Sequence, residues 1–234
     1  MLKGQRYFQS NEKPRRRGLI NKPMLYKLIE EASRVLRTPP PVFDFENPPE
    51  DPKEIAKNIG EAMDKFGGLG LSANQLGLNY RVFIMKTMHE GDTEPENVAY
   101  FNPELVKVSQ ETELMKEGCL SFPDIFLMIK RSKTVEFKYQ DTEGKEQSAV
   151  LEGVGARCVQ HEIDHLNGIL FLQRASQMKI ERALKARPKV KRKRLENEKR
   201  HELARYFQQL QAKHDSKSDV EGKMSGPDKV SQES

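Results

Sequence analysis

The first part of the chain has the hydrophobic pattern of two helices joined by a proline-rich connection. Residues 21–36 carry an apolar stripe at helical spacing, with a proline in the first turn, and this pattern predicts a first helix. A second helix is predicted from Asp51, a capping residue followed by proline, to Gly67, where two glycines end it. The connection between them contains several prolines and cannot be helical inside.

Further along, short runs rich in β-branched and aromatic residues predict strands. We place these strands at residues 81–86, 98–102, 105–110, 125–131 and 134–140. The DTEG turn at 141–144 predicts a hairpin into the next segment. A helix is predicted at about 153–166, ended by an Asn-Gly pair. Few helices of crossover length separate the strands, so the fold class predicted is α+β with mainly antiparallel sheets.

The remainder of the chain is polar. A last helix is predicted at about 176–211, with a break or kink at Pro188, and the residues after it are typical of disorder. The sequence therefore predicts four parts: a flexible basic arm at 1–20, a folded domain at 21–175, a basic helical extension at 176–213 and a disordered tail at 214–234.

Charge is distributed unevenly over these parts. The chain has a net charge of +5, but residues 18–178 are acidic and residues 179–205 carry a net +8. Only two cysteines are present, which excludes a disulfide framework and fits a reducing compartment. We find no apolar run of signal-peptide or membrane-span length, and we therefore expect a cytoplasmic protein that makes no membrane contact.

The sequence QHEIDHLNG at 160–168 predicts a metal site on the helix that ends there. His161 and His165 are four residues apart and share one helix face, with Glu162 directly after the first. Of the possible third ligands, Cys119 in KEGCLSFP is the best placed, because the other histidines lie in charged segments. A thiolate with two imidazoles suits zinc or ferrous iron and leaves a position open. We interpret the second cysteine, Cys158, as a core residue.

Three segments in order, GLGLSANQ (68–75), EGCLS (117–121) and QHEIDH (160–165), resemble the signature motifs of peptide deformylases. Each motif alone is of weak or moderate specificity, but the ordered set is strong. The resemblance implies that residues 21–175 form a deformylase catalytic domain built around the HExxH helix. It also implies hydrolysis of the N-formyl group from the N-terminal methionine of nascent polypeptides.

The resemblance assigns roles to individual residues. Cys119, His161 and His165 would bind one divalent metal ion, Fe(II) in preference to Zn(II), and Glu162 would move the proton. Gln75 and the backbone N–H of Leu120 would stabilise the oxyanion. Four residues would form the substrate site, with the glycines leaving backbone open to the peptide and the leucines forming apolar walls: Leu69, Gly70, Leu71 and Gly118.

Other functions stay open at this point. The HExxH pattern is also that of metalloproteases, although these take a third ligand downstream of the helix, and the acids there lie in a highly basic helix. A non-catalytic protein that binds the ribosome or RNA is another alternative. The basic helix at 179–205 suggests that a deformylase of this kind would dock on ribosomal RNA through phosphate contacts.

Overall fold

The computed structural model describes residues 26–88 and 93–224, and for 210–224 the backbone alone. Three α-helices and seven strands are present in this part of the chain, together with three short 3-10 turns. The elements are α1 (Pro52–Phe66), β1 (Gly70–Ser72), β2 (Val82–Thr87), β3 (Glu96–Val108), β4 (Thr112–Cys119), β5 (Phe122–Ser132), β6 (Thr134–Gln140), β7 (Glu146–Glu152), α2 (Gly153–Leu166) and α3 (Gln177–Met224).

The strands form two antiparallel sheets. One sheet has five strands in the order β1-β2-β3-β6-β7, and β4 and β5 form a separate two-stranded sheet. Helix α2 packs on the five-stranded sheet, where Val159 and Ile163 join a buried cluster with Phe83, Tyr100 and Phe137. The α+β class with mainly antiparallel pairing is confirmed.

Two more apolar clusters complete the core. The first lies between α1 and strands β1 and β2, and the other lies under β5. In the latter, Leu36 and Phe171 pack with Ile125 and Ile129, and the start of α3 joins through Ile180 and Ala183 at its edge. Helix α3 is therefore attached to the body at its N-terminal end.

Helix α1 matches its prediction in both caps. The side chain of Asp51 accepts a hydrogen bond from the Lys53 N–H, and Gly67 ends the helix in the left-handed conformation with φ 69°. The predicted hairpin is present as β6 and β7, and α2 has the predicted bounds.

The helix predicted at 21–36 is wrong where the structure describes it. Residues 26–33 are not helical, and only a 3-10 turn at Arg34–Arg37 forms; residues 21–25 lie outside the described part. The backbone N–H of Ile29 donates to the carbonyl of Gln75 at 2.9 Å, so this segment is held along a neighbouring turn. A tertiary contact has overridden the local apolar pattern.

Two predicted strands are in fact one, and two other strands were not predicted. Strand β3 runs through Pro103, where the pairing with β6 shifts register between Phe101 and Glu104. Proline is tolerated at such an irregularity because no ladder hydrogen bond is required of it there. Strand β1 has only three residues, and β4 is rich in exposed polar residues, so neither shows a clear apolar pattern.

Helix α3 is longer and less interrupted than predicted. It passes through Pro188 without a break and continues to Met224, so the expected disorder from residue 214 is not met as far as 224; residues 225–234 are not described. Arg187 holds it to Glu31 and to the carbonyl of Pro123. No helix among residues 26–88 and 93–224 is both long and apolar enough to cross a bilayer.

Candidate active site

The three residues expected to bind metal come together at the junction of α2 and the β4–β5 sheet. Cys119 ends β4, and His161 and His165 lie one turn apart on the same face of α2. One potential ligand atom from each lies within 4.8 Å of the others, and the Cys119 Sγ is 3.1 Å from the His165 Nε2. Both histidines are buried. The geometry fits a single ion held by three side chains.

A carboxylate fixes the first histidine ring. The Glu117 Oε1 lies 2.7 Å from the His161 Nδ1, which leaves the Nε2 of that ring to face the cluster. Carboxylates in this position orient metal-binding histidines and select their tautomer. The site thus has an outer support as well as a set of ligands.

The electrostatic surroundings of the two histidines differ. Burial alone would lower the pKa of His161, but Cys119 and Glu117 outweigh it and raise that pKa well above its usual value. For His165, burial and then the charge of His161 lower the pKa well below its usual value. The surroundings therefore favour protonation of His161 and disfavour protonation of His165. Metal binding at such a site releases protons.

Glu162 follows the first histidine, lines the cleft and has its carboxyl group beside β1. Its Oε2 accepts a hydrogen bond of 2.6 Å from the Ser72 hydroxyl. Burial raises the pKa of Glu162, while the charge of His161 and the Ser72 hydrogen bond oppose that rise. A carboxyl group whose pKa is moved toward neutrality can both accept and return a proton.

Gly70 is required beside this carboxyl group. A Cβ atom at Gly70 would lie 2.6 Å from the Glu162 Oε1 and 2.7 Å from the Cys158 Sγ. Cys158 packs against the cluster between α2 and the five-stranded sheet, as predicted for a core residue. It also lines the cleft. A glycine is the residue that lets β1 pass this close to α2.

Gln75 lies in a 3-10 turn after β1 and is buried. Its Oε1 accepts from the Ser72 backbone N–H at 3.0 Å, and its Nε2 donates to the Ser121 hydroxyl at 3.0 Å. The same Nε2 is 3.6 Å from the Cys119 Sγ. With its oxygen engaged, the amide can present only its N–H groups to the cluster. Leu120 follows Cys119 in the turn between β4 and β5 and lines the same cleft.

One open cleft of about 1340 Å³ is lined by five of the residues described above: Gln75, Cys119, Leu120, His161 and Glu162. Leu69 is exposed and lines the cleft. Gly70, Gly118 and Val154 of α2 line it as well. A Cβ atom at Gly118 would lie 2.7 Å from the Phe126 ring, so close packing excludes a larger residue there. Among the described residues, strand β1 is at the edge of its sheet and pairs only with β2. An extended peptide can add to a sheet at such an edge.

One expected substrate residue does not belong to the cleft. Leu71 is fully buried in the cluster between α1 and strands β1 and β2 and does not line the cleft, so its assignment as a pocket wall is corrected. The cause is the alternation of side chains along β1, which turns Leu71 away from the face that Gly70 presents.

Behind the cluster lies a buried charge network that the sequence revealed only in part. Arg131 donates to both oxygens of Glu117, at 2.9 and 2.7 Å, and to Asp164 at 2.7 Å. Arg157 also donates to Glu117, at 3.0 Å, and Arg174 pairs with Asp164. From the sequence alone, Glu117 could be either a solvated charge or a partner of Arg131 that supports the loop of Cys119, and the structure shows the pair. Burial opposes the ionised form of Glu117, yet hydrogen bonds from Arg131 and His161 prevail and lower its pKa.

Three other site contacts were not predicted. Ser72 donates to Glu162, Ser121 accepts from Gln75, and Arg157, which is buried and lines the cleft, donates to Glu117. Ser72 and Ser121 lie within the GLGLSANQ and EGCLS segments, so their place in the motifs was the available signal. The partner of Arg157 is Glu117, 40 residues earlier in the chain, so the sequence around Arg157 could not predict the contact.

Comparisons with known proteins agree with this geometry. The sequence profile described as polypeptide deformylase matches residues 26–181. The peptide deformylase of Thermotoga maritima is 41% identical over 156 residues, which is 66% of this chain and 90% of that protein. The structure of a peptide deformylase from Synechococcus elongatus in complex with actinonin has a TM-score of 0.63 and 31% identity, over 71% of this chain and 89% of that one.

A class I type b peptide deformylase from Acinetobacter baumannii, solved with Met-Ala-Ser bound, has a TM-score of 0.61 and 30% identity. It covers 66% of this chain and 100% of its own. The family profile spans well over half of this chain, and sequence and structure lead to the same family. The chain therefore belongs to the peptide deformylase family, the hydrolases that remove N-formyl groups from nascent peptides.

Proposed function

We propose that this enzyme is metal-dependent and binds one divalent ion, Fe(II) in preference to Zn(II), through Cys119, His161 and His165. The observation that carries the proposal is the meeting of three potential ligand atoms within 4.8 Å, beside a buried carboxyl group and a buried amide. A thiolate with two imidazoles accepts either metal. The ion, when bound, supplies Lewis-acid chemistry that activates a water molecule and polarises a carbonyl oxygen.

The protein side chains perform the proton transfer and stabilise the developing charge. Glu162 takes a proton from the attacking water and returns it to the departing amine nitrogen. The Gln75 Nε2 and the Leu120 N–H donate to the oxygen of the formyl carbon as it becomes negative. Removing one such donor from an active site typically costs about 3–4 kcal/mol of transition-state stabilisation.

The substrate binds as an extended chain along the open edge of β1. Backbone pairing with Gly70 would hold the peptide without reading its side chains, and the backbone of Gly118 also lines the cleft. The methionine side chain would contact the apolar residues that line this region, Leu69 and Val154 among them. Residues 21–175 act as the catalytic domain in this proposal, and 176–213 act as an extension of it.

A protease is the second candidate for a site of this kind. Proteases with this motif take their third ligand downstream of the helix, where Glu181 and Glu196 are found here. Both are exposed on α3, and Glu181 accepts a hydrogen bond from Gln177. Among the described residues the histidines group with Cys119, upstream of the helix, and this favours the deformylase chemistry.

We expect the enzyme to release formate from formyl-Met-Ala-Ser and to leave an internally quenched peptide uncut. A chelator should abolish formate release, and anaerobic addition of Fe(II) or Zn(II) should restore it, because the ligands cannot replace the ion's chemistry. Elemental analysis after anaerobic purification identifies the native metal. Cleavage of the internally quenched peptide alone would overturn the deformylase assignment. Full activity in the presence of the chelator would overturn the proposed metal dependence.

We also propose that the exposed part of α3 docks on ribosomal RNA. Residues 179–205 carry a net +8 beside an acidic body, and most of their side chains are exposed. Some of the charge is used locally, since Arg192 pairs with Glu196 and Arg194 with Glu198. The remaining cations would contact phosphates. A nascent-chain substrate places the enzyme where translation occurs, which for a bacterial cell is the cytoplasm.

Neutralising Lys185, Lys199, Arg200 and Arg205 together with glutamine is expected to weaken co-sedimentation with 70S ribosomes and to reduce its salt dependence. Each lost phosphate contact should lower the slope of log K against log salt by about 0.7–0.9. A matched control neutralises four exposed lysines of the body: Lys57, Lys107, Lys130 and Lys138. Equal binding by both variants and the unmodified chain would remove the docking proposal.

A further inference from the structure

The cleft that holds the catalytic residues has a wall that lies outside the catalytic motifs. Val190, Lys193, Asn197 and His201 of α3 line the same cleft as Gln75, Cys119 and Glu162. Their spacing of three and four residues places them on one face of the helix. The family profile ends at residue 181, so this wall is contributed by a segment that the profile does not cover.

This wall is fixed to the body by two ion pairs. Arg187 binds Glu31 and the carbonyl of Pro123. One turn before Asn197, Arg194 donates to both oxygens of the buried Asp124, at 2.7 and 3.1 Å. The cleft-lining face of α3 is therefore held against the start of β5.

The charges in this part of the cleft do not cancel. Asp124 and Glu198 both pair with Arg194. The Lys116 Nζ lies 4.5 Å from the centre of the Phe126 ring, and no carboxylate among the described residues lies within 4.0 Å of Lys116 or Lys193. Within the described part of the chain, each lysine therefore has no anionic partner, and both line the cleft.

The N-formyl group is at the beginning of the peptide, so the rest of the peptide must extend away from the metal-binding cluster. On β4, Lys116 precedes Cys119 by three residues, about 10 Å along an extended strand. Lys193 lines the same cleft from α3. An extended peptide advances about 3.3 Å per residue, so a cleft of this size holds several residues beyond the formyl-methionine.

We propose that α3 forms the second wall of the peptide-binding cleft, and that Lys116 and Lys193 bind a carboxylate carried by the substrate downstream of its formyl-methionine. The carboxylate is an acidic side chain in a nascent chain or the C-terminus of a short peptide. This inference rests on the proposed peptide substrate. It is tested separately from the ribosome proposal, since the residues changed there, Lys185, Lys199, Arg200 and Arg205, do not line the cleft.

The test is a scan of an acidic residue along formyl-Met hexapeptide amides, with glutamate at position three, four, five or six and glutamine as the isosteric reference. At low salt we expect glutamate to raise kcat/KM by about two- to fivefold at one or more positions, the range for exposed ion pairs. The gain should fall as salt is added, because exposed charges are screened. Formyl-Met-Ala-Ser as free acid and as amide tests the C-terminal source in the same way.

The variant Lys193→Glu should abolish or invert the preference, and Lys116→Gln should reduce it. The matched control is Lys199→Glu, which makes the same charge change on the same helix at a residue that does not line the cleft; it should keep the preference. A glutamate-to-glutamine ratio near one at every position in the unmodified enzyme overturns the inference, as does the same ratio in both charge-reversed variants. Formate release without any acidic preference overturns this inference alone, whereas no formate from any peptide overturns the proposed function with it.

Discussion

Replacing Glu162 with glutamine is expected to lower kcat/KM for formyl-Met-Ala-Ser by about 10²- to 10⁴-fold, the usual contribution of a positioned general acid–base group. Glutamine has nearly the shape of glutamate and can keep a hydrogen bond with the Ser72 hydroxyl, which now lies 2.6 Å from the carboxylate. The fold around the site should therefore persist, and only the proton transfer should be lost.

Formate release and metal content, measured on the same preparation, separate these effects. Metal content of the Glu162→Gln variant should equal that of the unmodified enzyme, because the ligands proposed are its neighbours and not Glu162 itself. Glu152→Gln makes the same chemical change at an exposed residue before α2 and should leave activity unchanged. Activity within tenfold of the unmodified enzyme would remove Glu162 from the proton transfer. Loss of metal would show instead that Glu162 assembles the site.

The second large effect is expected on stability, from Arg131→Met. This side chain is 5% exposed and donates to two buried carboxylates, Glu117 and Asp164. Removing one partner of a buried ion pair leaves an uncompensated charge and typically costs about 3–5 kcal/mol. In this variant Arg157 still pairs with Glu117, and Arg174 still pairs with Asp164. We therefore expect a loss of unfolding free energy toward the lower end of that range.

Denaturant unfolding of the variant measures this loss, and Lys133→Met serves as its control. Lys133 lies two residues away and pairs with Glu111 at the surface, where such pairs contribute about 0–1 kcal/mol. A loss below about 1 kcal/mol for Arg131→Met would contradict the argument from buried charge.

The same network predicts how stability changes with acid. The pKa of Glu117 is lowered in the folded protein from its ordinary value of 4.5. Its contribution is therefore fully present above that value and is lost as the pH falls below it. In the Arg131→Met variant this acid-dependent part of the unfolding free energy should be smaller.

The placement of the two histidines and Glu162 could be predicted from the sequence because these residues are local to one helix, whereas Cys119 and Gln75 lie on other segments and were assigned through the resemblance of their motifs. Helical periodicity alone places His161 and His165 on one face with Glu162 beside them. The caps of α1 could also be predicted, because Asp51 and Gly67 form their capping hydrogen bonds with residues in the first and last turns of the same helix.

The parts that could not be predicted depend on contacts between distant segments. The 26–33 segment has a helical pattern, but its Ile29 N–H is bound by a turn 46 residues away. Arg157 reaches Glu117 on another element, 40 residues earlier in the chain. Leu71 was misplaced because a three-residue strand gives too little pattern to show which face is buried.

The separation of the two sheets has a consequence for the energetics of folding. Cys119 is on the β4–β5 sheet and the histidines are on the helix that covers the other sheet, and Cys119 and His165 are 46 positions apart in the chain. An ion bound by all three residues would be a reversible cross-link between the two layers. It would bind the folded chain far better than the unfolded one, and such ligands stabilise a protein in proportion to the logarithm of their free concentration. The thermal stability of this enzyme would then depend on how much free metal the cell supplies.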